Sequence, residues 1–300
     1  MRLAHYRRGN ETRVGIVRAD SIVDLQDSAK SLTLSLDSPL TIDKLLSEGS
    51  VDKLRNAEHR ILSAASGIPI QSVKLSSPIL NPEKILMVGI NYKSHSKEQG
   101  IKAPSEPYFF TKFRNALIGP GDPIILPRIS TKPDWEAELA VIIGREGKNI
   151  PRKNALTHVA GYAVANDISF RDLQGSTLSP EGTSRLGMNW VKGKGLDSSF
   201  PLGPWLVTAD EIQDPQRLPI SLSVNGEMKQ NSNTEDMIFK IDQLIEYVSA
   251  GMTLKPGDII STGTPQGVAM STGQPFLKEG DIIEAMIAGI GTLRNPVKAE

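Results

Sequence analysis

From Lys84 to the C-terminus the chain is a succession of short apolar runs, nearly all closed by turn residues, and this punctuation constrains the fold more than any other feature. The runs predict strands over 85–88, 108–113, 138–143, 161–168, 205–207, 220–224, 258–261 and 281–288. One longer helix is expected over 234–250, where Met237, Ile238, Ile241, Leu244, Ile245 and Val248 form an amphipathic stripe. Helices therefore do not alternate with strands, which excludes an all-parallel doubly wound sheet. Ahead of this region, strands are expected over 3–7, 13–17 and 22–25, followed by a helix capped by Thr41 and another over 51–65. A poorly periodic stretch with Pro69, Pro78 and Pro82 then breaks the pattern. The expected architecture is α+β and mainly β, with a small α+β domain over 1–75 and a larger body over 76–300.

Composition narrows the partners. Thirty-four basic residues balance thirty-four acidic ones, so no net field draws the chain to nucleic acid or an anionic membrane, and a small molecule is the better expectation. The absence of cysteine removes disulfides, thiolate nucleophiles and thiolate ligands, leaving oxygen or imidazole for any metal. The first twenty residues are charged and alternating, unlike a signal or transit peptide, and no window has the apolar length of a membrane span. The sequence reads as soluble and cytosolic.

Three clusters could carry chemistry. Glu136 and Glu138 stand two residues apart at the entry to the apolar run Leu139–Ile143, and the two-residue period of a strand sends both carboxylates to one face. Alone, the pair reads first as a solvated strand end. A hard divalent ion would remove their mutual repulsion. Asp167 is an acid inside the run Gly161–Ile168, and a buried charge needs a partner. If its strand ends beside Glu138, it supplies a third oxygen. Arg171 and Gln174, three apart on a helical turn, could both address a ligand, though Arg171 could equally pair with Asp172. His95 and Glu98 share the same spacing, and a carboxylate that fixes the imidazole makes a competent general base; exposed His–Glu pairs are also common. Lys112 and Lys194 are candidate cations for a carboxylate or enolate, although most lysines are only solvated.

Taken in order, these motifs resemble the fumarylacetoacetate hydrolase family over about Lys84 to Val297. The similarity runs through Val88-Gly89-x-Asn91-Tyr92-x-x-His95-x-x-Glu98, Asp134-Trp135-Glu136-x-Glu138-Leu139-Ala140 and Asn166-Asp167-x-Ser169-x-Arg171-Asp172-x-Gln174. Lys194 with Pro201-Leu202-Gly203-Pro204-Trp205, and Gly263-Thr264-Pro265-x-Gly267-Val268, complete the series. The resemblance implies a distorted β-barrel or β-roll, Mg²⁺ or Mn²⁺ on Glu136, Glu138 and Asp167, and a homodimer. It further implies a water-activating His95–Glu98 dyad and a catalytic Lys194, with Lys112, Arg171, Gln174 and Thr264 as substrate contacts. Met1 to about Leu75 resembles the extra N-terminal domain of longer members. Fumarylacetoacetase proper brings a further aspartate to its metal from before the catalytic histidine, and Asn91 to Ser94 contains no acid. The expected substrate is therefore a different small 1,3-dioxo or 2-keto acid, such as an acylpyruvate. Carbon–carbon hydrolysis is the first expectation, with oxaloacetate decarboxylation or tautomerisation and hydroxymuconate-type isomerisation as alternatives on the same site. The Ser-, Gly- and Thr-rich stretch 176–189 is expected to be a lid.

Overall fold

The computed structural model describes residues 1–32, 40–175 and 188–300. In chain order the elements that position the site begin with strands β1 (Arg2–Arg8), β2 (Glu11–Arg18) and β3 (Ser21–Asp24), and helices α1 (Leu25–Ser31), α2 (Ile42–Ser47) and α3 (Val51–Ala64). Next come β4 (Ile85–Val88), α4 (Lys93–Glu98), β5 (Phe109–Lys112), β6 (Ala137–Ile143), β7 (Val159–Asn166), α5 (Arg171–Gln174) and α6 (Trp190–Lys194). The chain ends with β8 (Phe200–Thr208), β9 (Pro219–Val224), β10 (Glu227–Asn233), α7 (Ile241–Ser249), β11 (Ile259–Ser261), α8 (Ala269–Thr272), β12 (Ile282–Ile287) and β13 (Gly291–Ala299). The architecture is α+β and mainly β, as the punctuated runs predict.

Twelve strands form one large sheet, in which the order β3-β2-β1-β8-β7-β6-β11-β4-β5 runs from the N-terminal segment into the middle of the chain. Its central pairs are antiparallel except β11 with β4, which run parallel. A second sheet of five strands contains β10-β9-β12-β13 and is completed by Ile124–Leu126. The N-terminal strands are thus continuous with the main sheet, with Leu3 facing Leu206 and Arg2 facing Val207 across β1 and β8.

Both faces of the main sheet are covered, which is why β6 is apolar without a break from Leu139 to Ile143. Its odd positions, Leu139, Val141 and Ile143, join a core shared with the five-stranded sheet and α7. Its even positions, Ala140 and Ile142, meet a second core built with Leu3, Ile16, Leu45 and Ile61 of the N-terminal segment. Each fully buried Leu, Val or Ile among these contributes about 1.5–3 kcal/mol.

Two local expectations needed correction. The helix expected over 234–250 is shorter: a 3₁₀ turn at Thr234–Asp236 precedes α7. Met237 to Phe239 are non-helical between them because Asn91 competes for their backbone, taking Ile238 N–H on its carbonyl at 2.7 Å and Phe239 N–H on its side-chain oxygen at 2.8 Å. Helix α1 was also not expected; Asp24 caps it, accepting from Asp27 N–H. Among the described residues no helix is long and apolar enough to cross a membrane. The expected lid lies outside the described residues except for Met188 and Asn189.

His5 ties the N-terminal segment together. Its Nδ1 lies 3.0 Å from the Ser77 carbonyl, to which it donates, and its Nε2 accepts Ile42 N–H at 3.0 Å, so α2 starts on a neutral imidazole. Burial pushes the ring below its ordinary value of 6.5, against a weaker upward pull from Asp43. The unfolded chain therefore takes up this proton first, so the imidazole's contribution is intact above about pH 6.5 and is lost as pH falls below it. Urea unfolding at pH 7.5 and 5.5 should show a smaller acid loss in His5→Asn than in the parent, although the variant is less stable at pH 7.5. Equal acid losses in the two proteins would rule this out.

Candidate active site

The β6–β7 register brings the acids together. Ala137 pairs with Asn166 and Glu138 with Ala165, so Glu136 and Asp167 sit opposite one another just beyond the ladder. Asp167 N–H donates to the Glu136 carbonyl at 2.9 Å, and Glu136 N–H donates to the Asn166 side chain at 3.0 Å. Ligating oxygens of Glu136, Glu138 and Asp167 all lie within 4.8 Å of one another, and all three residues are buried. Glu138 is fixed from β11 by the Ser261 hydroxyl and by Gly263 N–H at 3.0 Å.

Two lysines meet this cluster. Lys194 Nζ donates to Glu136 Oε2 at 2.8 Å and Asp167 Oδ2 at 2.6 Å. Lys112 Nζ is 3.0 Å from Asp167 Oδ1, but its protons go to the carbonyls of Ile168, Lys194 and Ser199. Asp167 Oδ1 is left buried without a hydrogen bond. Arg171 donates to Asp134 Oδ2 at 2.9 Å and to Glu136 Oε1 at 2.6 Å, so its partners are neither Asp172 nor solvent. Asp172 instead accepts from Ser130 and Thr131.

The charges are unequal. Burial drives the Glu138 carboxyl well up, and the charges of Asp167 and Glu136 push it further. Asp167 is also raised by burial, despite Lys194 and Lys112. At Glu136 burial is outweighed by Lys194 and Arg171, which hold its carboxyl below the usual range. Burial brings Lys112 down to about 8, whereas Asp167 and Glu136 overcome burial and keep Lys194 charged. Three clustered carboxylates, one strained toward protonation and one carrying an orphaned oxygen, are a donor set that suits a hard divalent cation.

Glu136 and Glu138, but not Asp167, line a cavity of about 410 Å³ whose walls also include His95, Gln99, Arg171, Gln174, Lys194 and Thr264. His95 and Glu98 share one side of α4, which Gly100 ends in a left-handed conformation (φ 64°) that suits glycine. Glu98 is held by Gly267 N–H at 3.0 Å and lies 3.4 Å from His95 Nδ1. Gln99 places its amide nitrogen 2.8 Å from His95 Nε2, so Nε2 is the acceptor and Nδ1 carries the proton toward Glu98. Burial lowers the imidazole's pKa, with Glu136 opposing, and so favours the neutral ring. Gly267 is itself constrained, since at φ 106° a Cβ would stand 2.1 Å from the Lys229 carbonyl.

Of the expected site residues, Glu136, Glu138, His95, Arg171, Gln174, Lys194 and Thr264 line the cavity. Glu98 supports it from behind. Thr264 gives its hydroxyl proton to the Ala137 carbonyl and accepts from Gln230. Lys112 stands apart, at 1% exposure beneath Asp167 rather than on the wall. Other wall residues were not expected. Phe110 shares the β5 face that carries Lys112, Tyr108 immediately precedes the strand, and Trp190 stacks on Phe110 at 4.6 Å and tilts against Tyr108 at 5.7 Å. The period-two spacing of Tyr108, Phe110 and Lys112 was the available signal. Asp134 was noted only as part of a motif, yet besides Arg171 it accepts from Ala269 and Met270 N–H at the start of α8.

Comparison with known proteins agrees with this geometry. The family model for the fumarylacetoacetate (FAA) hydrolase C-terminal region matches residues 84–298. The chain is 41% identical over 302 residues to the mitochondrial oxaloacetate tautomerase of Xenopus laevis, covering 99% of this chain and 90% of that protein. A maleylpyruvate hydrolase from a Sphingobium species, solved with manganese(II) and pyruvate, superposes with a TM-score of 0.80 at 32% identity, over 100% of this chain and 99% of that one. The 5-carboxymethyl-2-hydroxymuconate delta-isomerase of Mycobacterium smegmatis superposes with a TM-score of 0.74, also at 32% identity and over 100% and 99% of the two chains. The chain belongs to the fumarylacetoacetate hydrolase family.

Proposed function

We propose that this protein is a divalent-metal-dependent enzyme that enolises a small 2-oxo acid, and that keto–enol tautomerisation of an oxaloacetate-type acid is its reaction. The observation that carries the reading is that one cavity is lined both by a carboxylate-backed imidazole and by Glu136 and Glu138, two members of a three-carboxylate cluster completed by Asp167. The similarity to an oxaloacetate tautomerase over 99% of the chain supports it. Glu136, Glu138 and Asp167 would hold Mg²⁺ or Mn²⁺, which when bound supplies a Lewis acid for the 2-oxo-carboxylate head. His95 takes the proton from the carbon beside the carbonyl through its free Nε2 lone pair, after Gln99 gives way. Glu98 fixes the ring and stabilises the imidazolium that forms. Lys194, held charged by Asp167 and Glu136, offers positive charge to the developing enol oxygen. Lys112 acts from below by keeping Asp167 in place. The homodimer that the family resemblance implies belongs to the same reading.

A second reading, carbon–carbon hydrolysis of an acylpyruvate, has its own support. The cavity falls within the about 300–1,000 Å³ typical of larger ligands, and its aromatic wall exceeds what a four-carbon acid needs. In that case His95 would deprotonate water instead. Oxaloacetate enol decay, followed by its ultraviolet absorbance with and without Mn²⁺, separates the two when run beside product analysis on acetylpyruvate. Metal-dependent acceleration of enol decay without acetylpyruvate cleavage is expected. Cleavage with no effect on the enol would reverse the assignment, and neither activity would sink both.

A further inference from the structure

The cavity carries more cationic side chains than its chemistry at the acid cluster uses. Arg171 is committed to Asp134 and Glu136, and Lys194 to Glu136 and Asp167. His95 is neutral by burial and by its contact with Gln99. That leaves Lys102, which lines the same cavity on the segment following α4 and has no acidic partner among the described residues. The same wall carries Tyr108, Phe110 and Trp190, which offer ring faces and one hydroxyl to a carbon chain. The cavity wall thus combines carboxylates that would hold a cation, aromatic rings, and an ammonium with no acidic partner among the described residues.

We propose that Lys102 selects dicarboxylic substrates, receiving the carboxylate remote from the 2-oxo-acid head. This deepens the reading above, because it takes the 2-oxo-carboxylate head to be met by the divalent cation that Glu136, Glu138 and Asp167 would hold. A second carboxylate cannot settle against the rings without losing its hydration, nor beside the three acids without repulsion. At Lys102 it gains a charge-assisted hydrogen bond at the solvent-facing side of the cavity, where neither group need be fully dehydrated. A monocarboxylic 2-oxo acid of the same length makes the same contacts except this one. Lys102 therefore acts on ground-state affinity, and its loss should appear in KM or Kd and leave kcat unchanged.

The test is calorimetric titration of the Mn²⁺-loaded full chain with oxalate, 2-oxoglutarate, 2-oxoadipate and 2-oxohexanoate. The last two have matched chains and differ in the remote carboxylate. The parent should bind 2-oxoadipate up to about fivefold tighter than 2-oxohexanoate, the upper end for an exposed ion pair. Lys102→Met should bring that ratio close to one, and Lys102→Glu should invert it, with oxalate affinity unchanged in both. The preference should also weaken with added salt. A ratio in both variants equal to the parent's, with oxalate still bound, would overturn the role of Lys102 and leave the active-site reading intact. Failure of the Mn²⁺-loaded parent to bind oxalate or any 2-oxo acid would overturn both.

Discussion

Asp167→Ala should abolish binding of Mn²⁺ or Mg²⁺ and, with no metal present, lower the unfolding free energy by roughly 3–5 kcal/mol, the usual cost of leaving a buried charge without its partner. The reason lies beneath the cavity. Asp167 is the shared counter-ion of Lys194 at 2.6 Å and Lys112 at 3.0 Å, and all three side chains are removed from solvent. Removing the acid leaves Lys194 with Glu136 alone and Lys112 with backbone carbonyls. Lys112, already brought down to about 8 by burial, has a route out through loss of its proton, which keeps the cost from rising higher. Urea unfolding in the presence of a chelator measures the effect, and calorimetry measures the metal. Lys112→Met in the Asp167→Ala background should recover part of the loss, because the two positions share one interaction. A parent-like unfolding midpoint for Asp167→Ala in chelator would show that the acid is not serving as a counter-ion.

His95→Ala should lose about two to four orders of magnitude in turnover, the usual contribution of a positioned acid–base group, while binding Mn²⁺ and oxalate as the parent does. The separation follows from geometry: His95 faces the cavity from α4, whereas the acids come from β6 and the end of β7. Glu98→Gln should give a milder loss, since an amide can still meet Nδ1–H but brings no charge to favour the imidazolium. It also weakens the carboxylate's grip on Gly267 N–H. Steady-state rates at saturating metal, with oxalate calorimetry on the same samples, check both halves. If His95→Ala turns over at the parent rate, the proton is moved by another group, and Lys194 would be the next to replace.

How much of this was legible beforehand depended on whether the cause was local. Glu136, Glu138 and Asp167 could be found because a strand's two-residue period and an acid in an apolar run are properties of short segments. The His95–Glu98 pair likewise follows from three-residue spacing on one turn. Arg171 was singled out, but its partners were not, since Asp134 and Glu136 reach it only through strand pairing distant in sequence. Trp190 carries no local signal at all; it matters because α6 lays it on Phe110. The length of α7 was misjudged for the same kind of reason, because the apolar stripe continues through Met237 and Ile238 while Asn91, far upstream, takes their backbone out of the helix.

The pairing of β1 with β8 bears on how the chain can be shortened. A cut near residue 75 looks natural from the sequence, and the family model itself begins at residue 84. Yet such a cut would strip β1 from β8 and leave the backbone around Leu206 and Val207 as a bare sheet margin. It would also uncover Ala140, Ile142, Ala163 and Ala165, whose apolar face is sealed by Leu3, Ile16 and the N-terminal helices. An unpaired strand beside an exposed apolar face is a template for intermolecular β-pairing. For this protein, trimming to the minimal catalytic unit would yield an insoluble product rather than a smaller enzyme.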